Sequence, residues 1–251
     1  MPCLTKIPPG GGADLVRRGG GVMRALRNLA WWVADYAYAG HWQVRAFLSR
    51  TDPASFRAGD ALPVVVLPGV YETWKFLQPL VAAVHERGHP VHVIDLLRRN
   101  RRPVPEMAER VREYLVDHDL HDVVLVAHSK GGLIGKRVMT SPEGVRVRAM
   151  VAVATPFAGS RYARLLPLAP TLRIFSPSDA TIRALAAETA VNSRIVSLYG
   201  RFDPHIPEGS ELAGAVNVEL DTGGHFRILA HPRVMAEVIA AAEPAGGIRP
   251  S

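Results

Sequence analysis

From residue 64 onward, short runs of β-branched apolar residues alternate with stretches in which apolar residues recur every three to four positions. The runs predict strands at Val64–Leu67, Val91–Ile94, Val123–Ala127, Val147–Ala154, Arg194–Tyr199 and Ala215–Glu219. The other stretches predict helices at Trp74–Arg87, Val104–Asp117, Gly131–Met139 and Pro232–Ala242. Short, continuously apolar strands separated by helices indicate a parallel sheet that is buried on both faces. We therefore expect an α/β fold with a doubly wound, mostly parallel sheet.

Two segments depart from this alternation. Before the first strand, an apolar stripe with spacings of three and four predicts an amphipathic helix over about residues 21–50. The stripe consists of Val22, Leu26, Leu29, Val33, Tyr36, Gly40, Val44 and Phe47. Between two later strands, the proline-containing and apolar residues 161–193 are interpreted as a small cap over the site. The Gly- and Pro-rich residues 1–20 favour a flexible tail. Residues 51–251, which contain the alternating strands and helices, are expected to form the α/β domain.

Composition narrows the class of protein. Hydrophobic residues make up 48% of the 251 positions, which is enough for a large core. Cys3 is the single cysteine, so an internal disulfide framework and a cysteine-based metal site are excluded. We expect no metal and no cofactor. Neither a transmembrane run nor a signal peptide fits the sequence, and a cytoplasmic location is expected.

Charge is concentrated near the start of the chain. The first 50 residues carry +5 of the formal net charge of +7. A basic segment of this kind can meet nucleic acid or anionic lipid. The sequence has no nucleic-acid-binding motif, so an anionic membrane, contacted peripherally, is the favoured partner. The alternative is that the apolar stripe of the N-terminal helix packs against the sheet in place of missing strands.

The candidate chemistry centres on the segment Ala127-His128-Ser129-Lys130-Gly131. It follows an apolar strand and precedes a helix, which is the context of a nucleophile elbow that exposes a serine hydroxyl on a sharp turn. The residues two before and two after the serine must be small in so strained a turn, and here they are alanine and glycine. The alternative interpretation is a serine that only caps a helix.

A serine hydroxyl is a weak nucleophile without an adjacent base, and in this arrangement an acid and then a histidine follow it along the chain. Asp203 comes just after a predicted strand, and His225 lies between the last strand and the last helix. We expect His225 to take the proton from Ser129 and Asp203 to orient the imidazole. Asp95 also ends a predicted strand and is the alternative acid. The alternative bases are His128, His205 and His231.

Two backbone N–H groups are needed to stabilise the oxyanion of a tetrahedral intermediate. The expected donors are Lys130, directly after the serine, and Val70, in the loop after the first strand, where Gly69 permits close approach. A cation in the first turn of a helix opposes the helix dipole. We therefore expect Lys130 to be compensated by a nearby carboxylate or by an anionic substrate.

Four arginines follow the second strand, at the edge of the sheet where ligands bind in such folds. They are Arg98, Arg99, Arg101 and Arg102. With Tyr71 they are the candidate substrate-binding residues, because arginine binds phosphate and carboxylate groups bidentately. The alternative is a solvated surface cluster.

Taken together, the motifs resemble α/β-hydrolase lipases and esterases, especially the small bacterial lipases and the inositol-deacylase-like branch. The resemblance covers about residues 62–242 and rests on LPGVYETW, AHSKGGL, ATPFAGS, GRFDPHIP and GGHFRILAHPRV. It implies acyl-ester hydrolysis through an acyl-enzyme without a cofactor, with the triad and oxyanion donors named above. Pro68, Lys130 and the N-terminal helix depart from the usual pattern.

The sequence therefore predicts a serine hydrolase that cleaves carboxylic esters of a small molecule or a lipid. The same triad also supports acyl transfer and the cleavage of thioesters or amides. A catalytically inactive binding protein of the same fold is the non-enzymatic alternative.

Overall fold

Six strands form one parallel sheet in a computed structural model that describes residues 12–94, 97, 99–165 and 170–243. The strands are β1 (Val64–Leu67), β2 (Val91–Val93), β3 (Val123–His128), β4 (Val147–Val153), β5 (Ile195–Phe202) and β6 (Val216–Gly223). Their order across the sheet is β2-β1-β3-β4-β5-β6, and every neighbouring pair is parallel. The predicted α/β class and parallel sheet are confirmed.

Helices cover both faces of the sheet. In the described part of the chain they are α1 (Gly12–Leu48), α2 (Gln78–His85), α3 (Val104–Asp117), α4 (Lys130–Met139), α5 (Pro170–Arg173), α6 (Ala180–Ala187) and α7 (Pro232–Ala242). Apolar side chains of α3 and α4 form the core on one face, and those of α2 and α7 form the core on the other. The predicted helix at Trp74–Arg87 begins as a 3-10 turn, Trp74–Leu77, before α2.

The order of the strands creates a crevice at the site. β1 lies between β2 and β3, so the chain leaves β1 toward one side of the sheet and returns on the other. In open α/β sheets, ligands bind at such a switch point, outside the carboxyl ends of the strands. Leu67 and Ala127 are register partners at this edge. The loop that begins at Pro68 and the turn at Ser129 therefore start side by side.

The N-terminal helix is longer than predicted and packs with the opposite face. α1 begins at Gly12 and continues through the glycines at 19–21. Each glycine inside a helix costs about 1 kcal/mol relative to alanine, which weakens the helix but does not by itself end it. Residues 1–11 of the predicted tail lie outside the described residues. The face that contacts the body carries Trp31, Asp35, Tyr38, Trp42 and Ala46. The predicted apolar stripe lies on the other face and is largely exposed.

The segment predicted as a cap divides into two parts. Its first part, with the 3-10 turn Arg161–Leu165 and α5, borders the crevice, while residues 166–169 lie outside the described residues. Its second part, α6, buries Ile182 and Leu185 in the core on the α4 side of the sheet. Of the described helices, none is long and apolar enough to cross a membrane.

Candidate active site

Ser129 occupies a strained turn between β3 and α4. Its backbone has φ 52° and ψ −119°, a conformation that costs free energy for a residue with a side chain. The turn is possible because its neighbours are small: a Cβ added at Gly131 would lie 2.0 Å from the Leu67 carbonyl oxygen. The Ser129 side chain makes no capping hydrogen bond to α4, so the turn does not serve as an ordinary helix cap.

The structure brings Ser129, His225 and Asp203 together. The Oγ atom of Ser129 lies 2.9 Å from Nε2 of His225, and Nδ1 of His225 lies 2.8 Å from Oδ2 of Asp203. Ser129 and His225 are buried and 96 residues apart in sequence. A continuous chain of hydrogen bonds therefore links a hydroxyl, an imidazole and a carboxylate.

Asp203 is fixed by its own loop. Its Oδ1 accepts hydrogen bonds from the backbone N–H groups of His205 (2.7 Å) and Ile206 (3.1 Å), which leaves Oδ2 for His225. Burial opposes ionisation, but the charge and hydrogen bond of His225 and the backbone N–H of His205 hold the pKa of Asp203 below its ordinary value. Burial alone would lower the pKa of His225, but the Asp203 carboxylate raises it above 6.5.

A buried carboxylate from α1 holds the loop that carries His225. Oδ2 of Asp35 accepts from the N–H of His225 (2.8 Å), and Oδ1 accepts from Phe226 (2.8 Å) and Arg227 (2.7 Å). Asp35 is fully buried. One side chain of the N-terminal helix thus satisfies three consecutive amides, including that of the candidate base.

Two glycines allow α1 to approach this closely. A Cβ at Gly223 would lie 2.3 Å from the Trp31 ring, and one at Gly224 would lie 2.4 Å from Oδ1 of Asp35. Gly224 also has φ 117°, which side-chain-bearing residues rarely adopt. The Gly-Gly pair before His225 is therefore required by the contact with the helix.

A second buried pair, Glu72 and His128, connects three loops of the site. A Glu72 carboxylate oxygen accepts from the N–H of Gly69 (2.7 Å) and lies 2.9 Å from Nδ1 of His128. Nε2 of His128 donates to the carbonyl oxygen of His225 (2.9 Å), since a carbonyl only accepts. Both ring nitrogens are occupied, so His128 positions the backbone of the site and does not compete with His225 for Ser129.

Two more histidines that the sequence offered as bases have partners of their own. The His205 ring stacks on that of His225 at 4.7 Å between centroids, and its Nε2 bonds the Tyr36 hydroxyl (2.8 Å). Burial lowers the pKa of His205 to about 4. His231 caps α7 by accepting from the N–H of Arg233. Asp95, the second candidate acid, lies outside the described residues.

The two predicted oxyanion donors belong to a residue that lines the cavity of Ser129 and to the residue that follows Ser129 in the chain. Val70 lines the same cavity as Ser129, and its N–H has no hydrogen-bond partner within the part of the chain that the structure describes. Lys130 is the first residue of α4, and the first N–H groups of a helix lack intrahelical partners.

The side chain of Lys130 has a partner that the sequence did not predict. Its ammonium is buried and donates to the carbonyl oxygens of Asn100 (2.8 Å) and Arg102. These backbone acceptors compensate the ammonium, and the charge of the Glu106 carboxylate, which is the kind of compensation expected from the sequence, also acts on it. Burial lowers the pKa of Lys130 to about 8. The lysine therefore ties the elbow to the loop after β2.

Two cavities open at this edge. A cavity of about 470 Å³ contains Ser129 and His225, and its apolar lining includes Val70, Ala163, Leu172, Phe175, Ile206 and Phe226. The described arginines line a separate cavity of about 880 Å³ that does not include Ser129. They are Arg99, Arg101 and Arg102, and Arg98 lies outside the described residues. Tyr71 lines both cavities, so the described arginines line a cavity next to the one that contains the candidate nucleophile.

The described histidine and carboxylate side chains were also considered as ligands for a metal ion. Among the residues that the structure describes, no group of three or more His, Cys, Asp or Glu side chains is placed to hold a metal ion.

Comparison with known proteins identifies the fold. The model of the Alpha/beta hydrolase family matches residues 64–206, which include Ser129 and Asp203 and end before His225. A search of curated proteins found no match.

Solved structures with the same fold are distant in sequence. MGS-MChE2, an α/β hydrolase enzyme from the metagenome of sediments of the Mar Chica lagoon in Morocco, is 19% identical, with 73% of this chain and 90% of that chain covered and a TM-score of 0.54. The monoacylglycerol lipase of Paleococcus ferrophilus is 15% identical, with 71% and 94% covered and a TM-score of 0.56. A carboxylesterase structure from Nitrososphaera gargenis is 11% identical, with 72% and 90% covered and a TM-score of 0.55.

Proposed function

Because this chain belongs to the α/β hydrolase family, we propose that it is a serine hydrolase that cleaves carboxylic esters through an acyl-enzyme. The observation that carries the proposal is the hydrogen-bonded series Ser129 Oγ, His225 Nε2, His225 Nδ1 and Asp203 Oδ2, with distances of 2.9 and 2.8 Å. A hydroxyl held by a buried imidazole, itself oriented by a carboxylate, is the arrangement that activates serine for acyl transfer.

The proposed reaction has two halves. Ser129 Oγ attacks the ester carbonyl carbon while its proton passes to Nε2 of His225, and Asp203 stabilises the imidazolium that forms. The imidazolium then gives this proton to the leaving alkoxide oxygen, so that an alcohol departs and the acyl group remains on Ser129. Water attacks the acyl-enzyme with His225 again as base, releasing the carboxylic acid and the free serine.

The negative charge of each tetrahedral intermediate needs fixed donors. We assign the N–H groups of Val70 and Lys130 to this role, because the first has no other partner among the described residues and the second begins a helix beside Oγ. Removal of one such donor typically costs about 10²–10³ in kcat. The Glu72 contact with Gly69 and the Lys130 contact with the loop after β2 hold both donors in place.

The lining of the smaller cavity supports an apolar acyl group. Leu172, Phe175 and Phe226 face the same space as Ser129. Apolar walls with a few convergent polar groups are typical of sites that orient a largely hydrophobic ligand. We therefore propose a lipase- or esterase-type substrate, in keeping with the resemblance to small bacterial lipases and inositol-deacylase-like enzymes.

A panel of matched acyl substrates tests this proposal. Purified protein is assayed on p-nitrophenyl esters of increasing acyl length, and on a thioester and an anilide with the same acyl group. We expect turnover of the esters that Ser129→Ala abolishes and Ser55→Ala, at an exposed serine, leaves unchanged. Preferential turnover of the thioester or the anilide would replace ester hydrolysis by the corresponding chemistry. A higher rate with an added alcohol acceptor would indicate acyl transfer.

A further inference from the structure

The N-terminal helix exposes an apolar face along much of its described length. Val22, Leu26, Leu29 and Val33 lie on one side of α1, and each is more than half exposed. The packing face, with Trp31, Asp35 and Trp42, lies on the opposite side. A contiguous apolar surface of this kind on a folded chain marks a contact with another molecule or with a membrane.

The charges of the same helix select the kind of contact. Asp35 is the single acidic residue between positions 22 and 48, and it is buried against three backbone amides. The exposed surface of this stretch therefore carries the cations Arg24, Arg27 and Arg45 and no carboxylate. A helix with an apolar face, arginines on its other sides and interfacial aromatics is typical of peripheral membrane helices.

The apolar face leads to the mouth of the site. Tyr36, which continues the stripe, lines the cavity that contains Ser129, and Phe47, at the far end of the stripe, lines the larger cavity. Arg99, Arg101 and Lys75 line that larger cavity. A surface that touches the stripe would therefore also contact the cations of the larger cavity, next to the cavity that contains the candidate nucleophile.

We propose that the exposed face of α1, defined by Val22, Leu26, Leu29, Val33 and Tyr36, docks on an anionic lipid bilayer. The apolar side chains enter the interfacial region, and the cations beside the crevice meet lipid phosphates. Docking itself does not depend on the proposed ester hydrolysis. The presentation of a lipid ester to Ser129 from that surface does rest on it.

Vesicle binding tests the docking separately from catalysis. The full chain carrying Ser129→Ala is mixed with vesicles of phosphatidylcholine, or of phosphatidylcholine and phosphatidylglycerol in equal amounts, and bound protein is measured by flotation. We expect binding to the anionic vesicles that weakens as salt is raised. Leu26→Ser with Leu29→Ser should reduce it by about tenfold or more, as expected for two leucines that no longer enter an apolar environment.

Tryptophan fluorescence gives an independent readout. Three of the four tryptophans lie in α1, and Trp32 is nearly half exposed. Its emission should shift to shorter wavelength on anionic vesicles. Trp32→Phe should remove most of that shift while the protein still floats.

Matched controls distinguish binding through the exposed face of α1 from non-specific adsorption to vesicles. Val145→Ser and Arg137→Ala change an exposed apolar residue and an exposed cation outside α1, and they should leave binding unchanged. The leucine double variant should keep wild-type turnover of a soluble short-chain ester. Absence of flotation with anionic vesicles overturns the proposal. So does a vesicle-independent dimer that dissociates in the leucine double variant, which would assign the face to a second copy of the chain.

Discussion

Replacing Asp35 tests whether the N-terminal helix is part of the catalytic apparatus. In Asp35→Ala, the N–H groups of His225, Phe226 and Arg227 lose their acceptor in a buried place. A hydrogen bond to a charged group contributes about 1.5–3 kcal/mol, and a buried donor without a partner costs about 1–3 kcal/mol. Because the loop can relax, we expect a loss of about 3–5 kcal/mol in the free energy of unfolding, less than the sum of three separate bonds.

This loss should also be visible in catalysis. The amide that Asp35 holds belongs to the candidate base, and a displacement of about 1 Å in a reacting group can cost about 10²-fold in rate. We therefore expect kcat to fall by about that factor with a smaller change in KM. Asp35→Asn keeps one acceptor oxygen but places an NH₂ group toward one of the three donors, so its effect should be intermediate.

The pH profile distinguishes a positioning role from simple destabilisation. The negative charge of Asp35 is one of the groups that raise the pKa of His225, after Asp203 and Glu72. His205 and His128 also contact the His225 ring. Loss of the Asp35 charge lowers the His225 pKa, so the base stays neutral to lower pH and the acidic limb of kcat/KM moves to lower pH.

Thermal unfolding and kcat/KM from pH 5 to 9 are the measurements, and Asp60→Asn, at an exposed carboxylate, is the matched control. For a chain of this size, about 3–5 kcal/mol corresponds to a decrease in Tm of roughly 6–20 °C. Wild-type Tm and an unmoved acidic limb in Asp35→Ala would refute the role of Asp35.

Three further changes have defined outcomes. Gly131→Ala should lower the free energy of unfolding by about 3 kcal/mol and abolish activity, because the added Cβ would lie 2.0 Å from the Leu67 carbonyl oxygen and clash with it. An active, stable variant would show that the elbow tolerates a side chain at this position. Because Asp203 raises the pKa of His225, the wild-type acidic limb of kcat/KM should have its midpoint above pH 6.5. Asp203→Asn should move this midpoint to lower pH and reduce kcat about 10⁴-fold. An unchanged pH profile would point to another acid. Lys130→Met should lower the free energy of urea unfolding by about 1–3 kcal/mol, because a buried and a partly buried carbonyl oxygen lose their donor. An unchanged free energy of unfolding would mean that other contacts hold the loop after β2.

The local pattern of apolar residues was sufficient to predict most of the strands. The runs of valine predicted β1 to β4 closely, because these strands are buried on both faces and their apolar residues are contiguous. β5 and β6 continue past their predicted ends at Tyr199 and Glu219. Those ends contain polar residues and glycines near the site, where the ladder of backbone hydrogen bonds continues after the apolar pattern stops.

The residues of the site that lie in short sequence motifs could be predicted. The positions of Ser129, Asp203 and His225 follow from a strand, a turn and the order of residue types, and the structure brings the three together. The roles of Asp35 and Glu72 were missed, since their partners are 190 and 56 residues away and a lone acid, in a helix or in a loop, belongs to no motif.

The orientation of α1 could not be read from periodicity alone. An apolar stripe predicts which residues share a face, but not whether that face meets the protein or its surroundings. Here the large aromatic side chains and the buried Asp35 select the opposite face for packing. The Gly223-Gly224 pair was a signal for this contact, because both positions exclude a side chain on account of α1.

Acylation of Ser129 is the central step of the proposed mechanism. Rapid mixing of the protein with a p-nitrophenyl ester, followed by acid quench and peptide mass spectrometry, tests it most directly. We predict a burst of p-nitrophenol equal to the enzyme concentration and an acyl mass on the peptide that contains Ser129, both lost in Ser129→Ala. An acyl mass on another residue, or full turnover by Ser129→Ala, would contradict the mechanism.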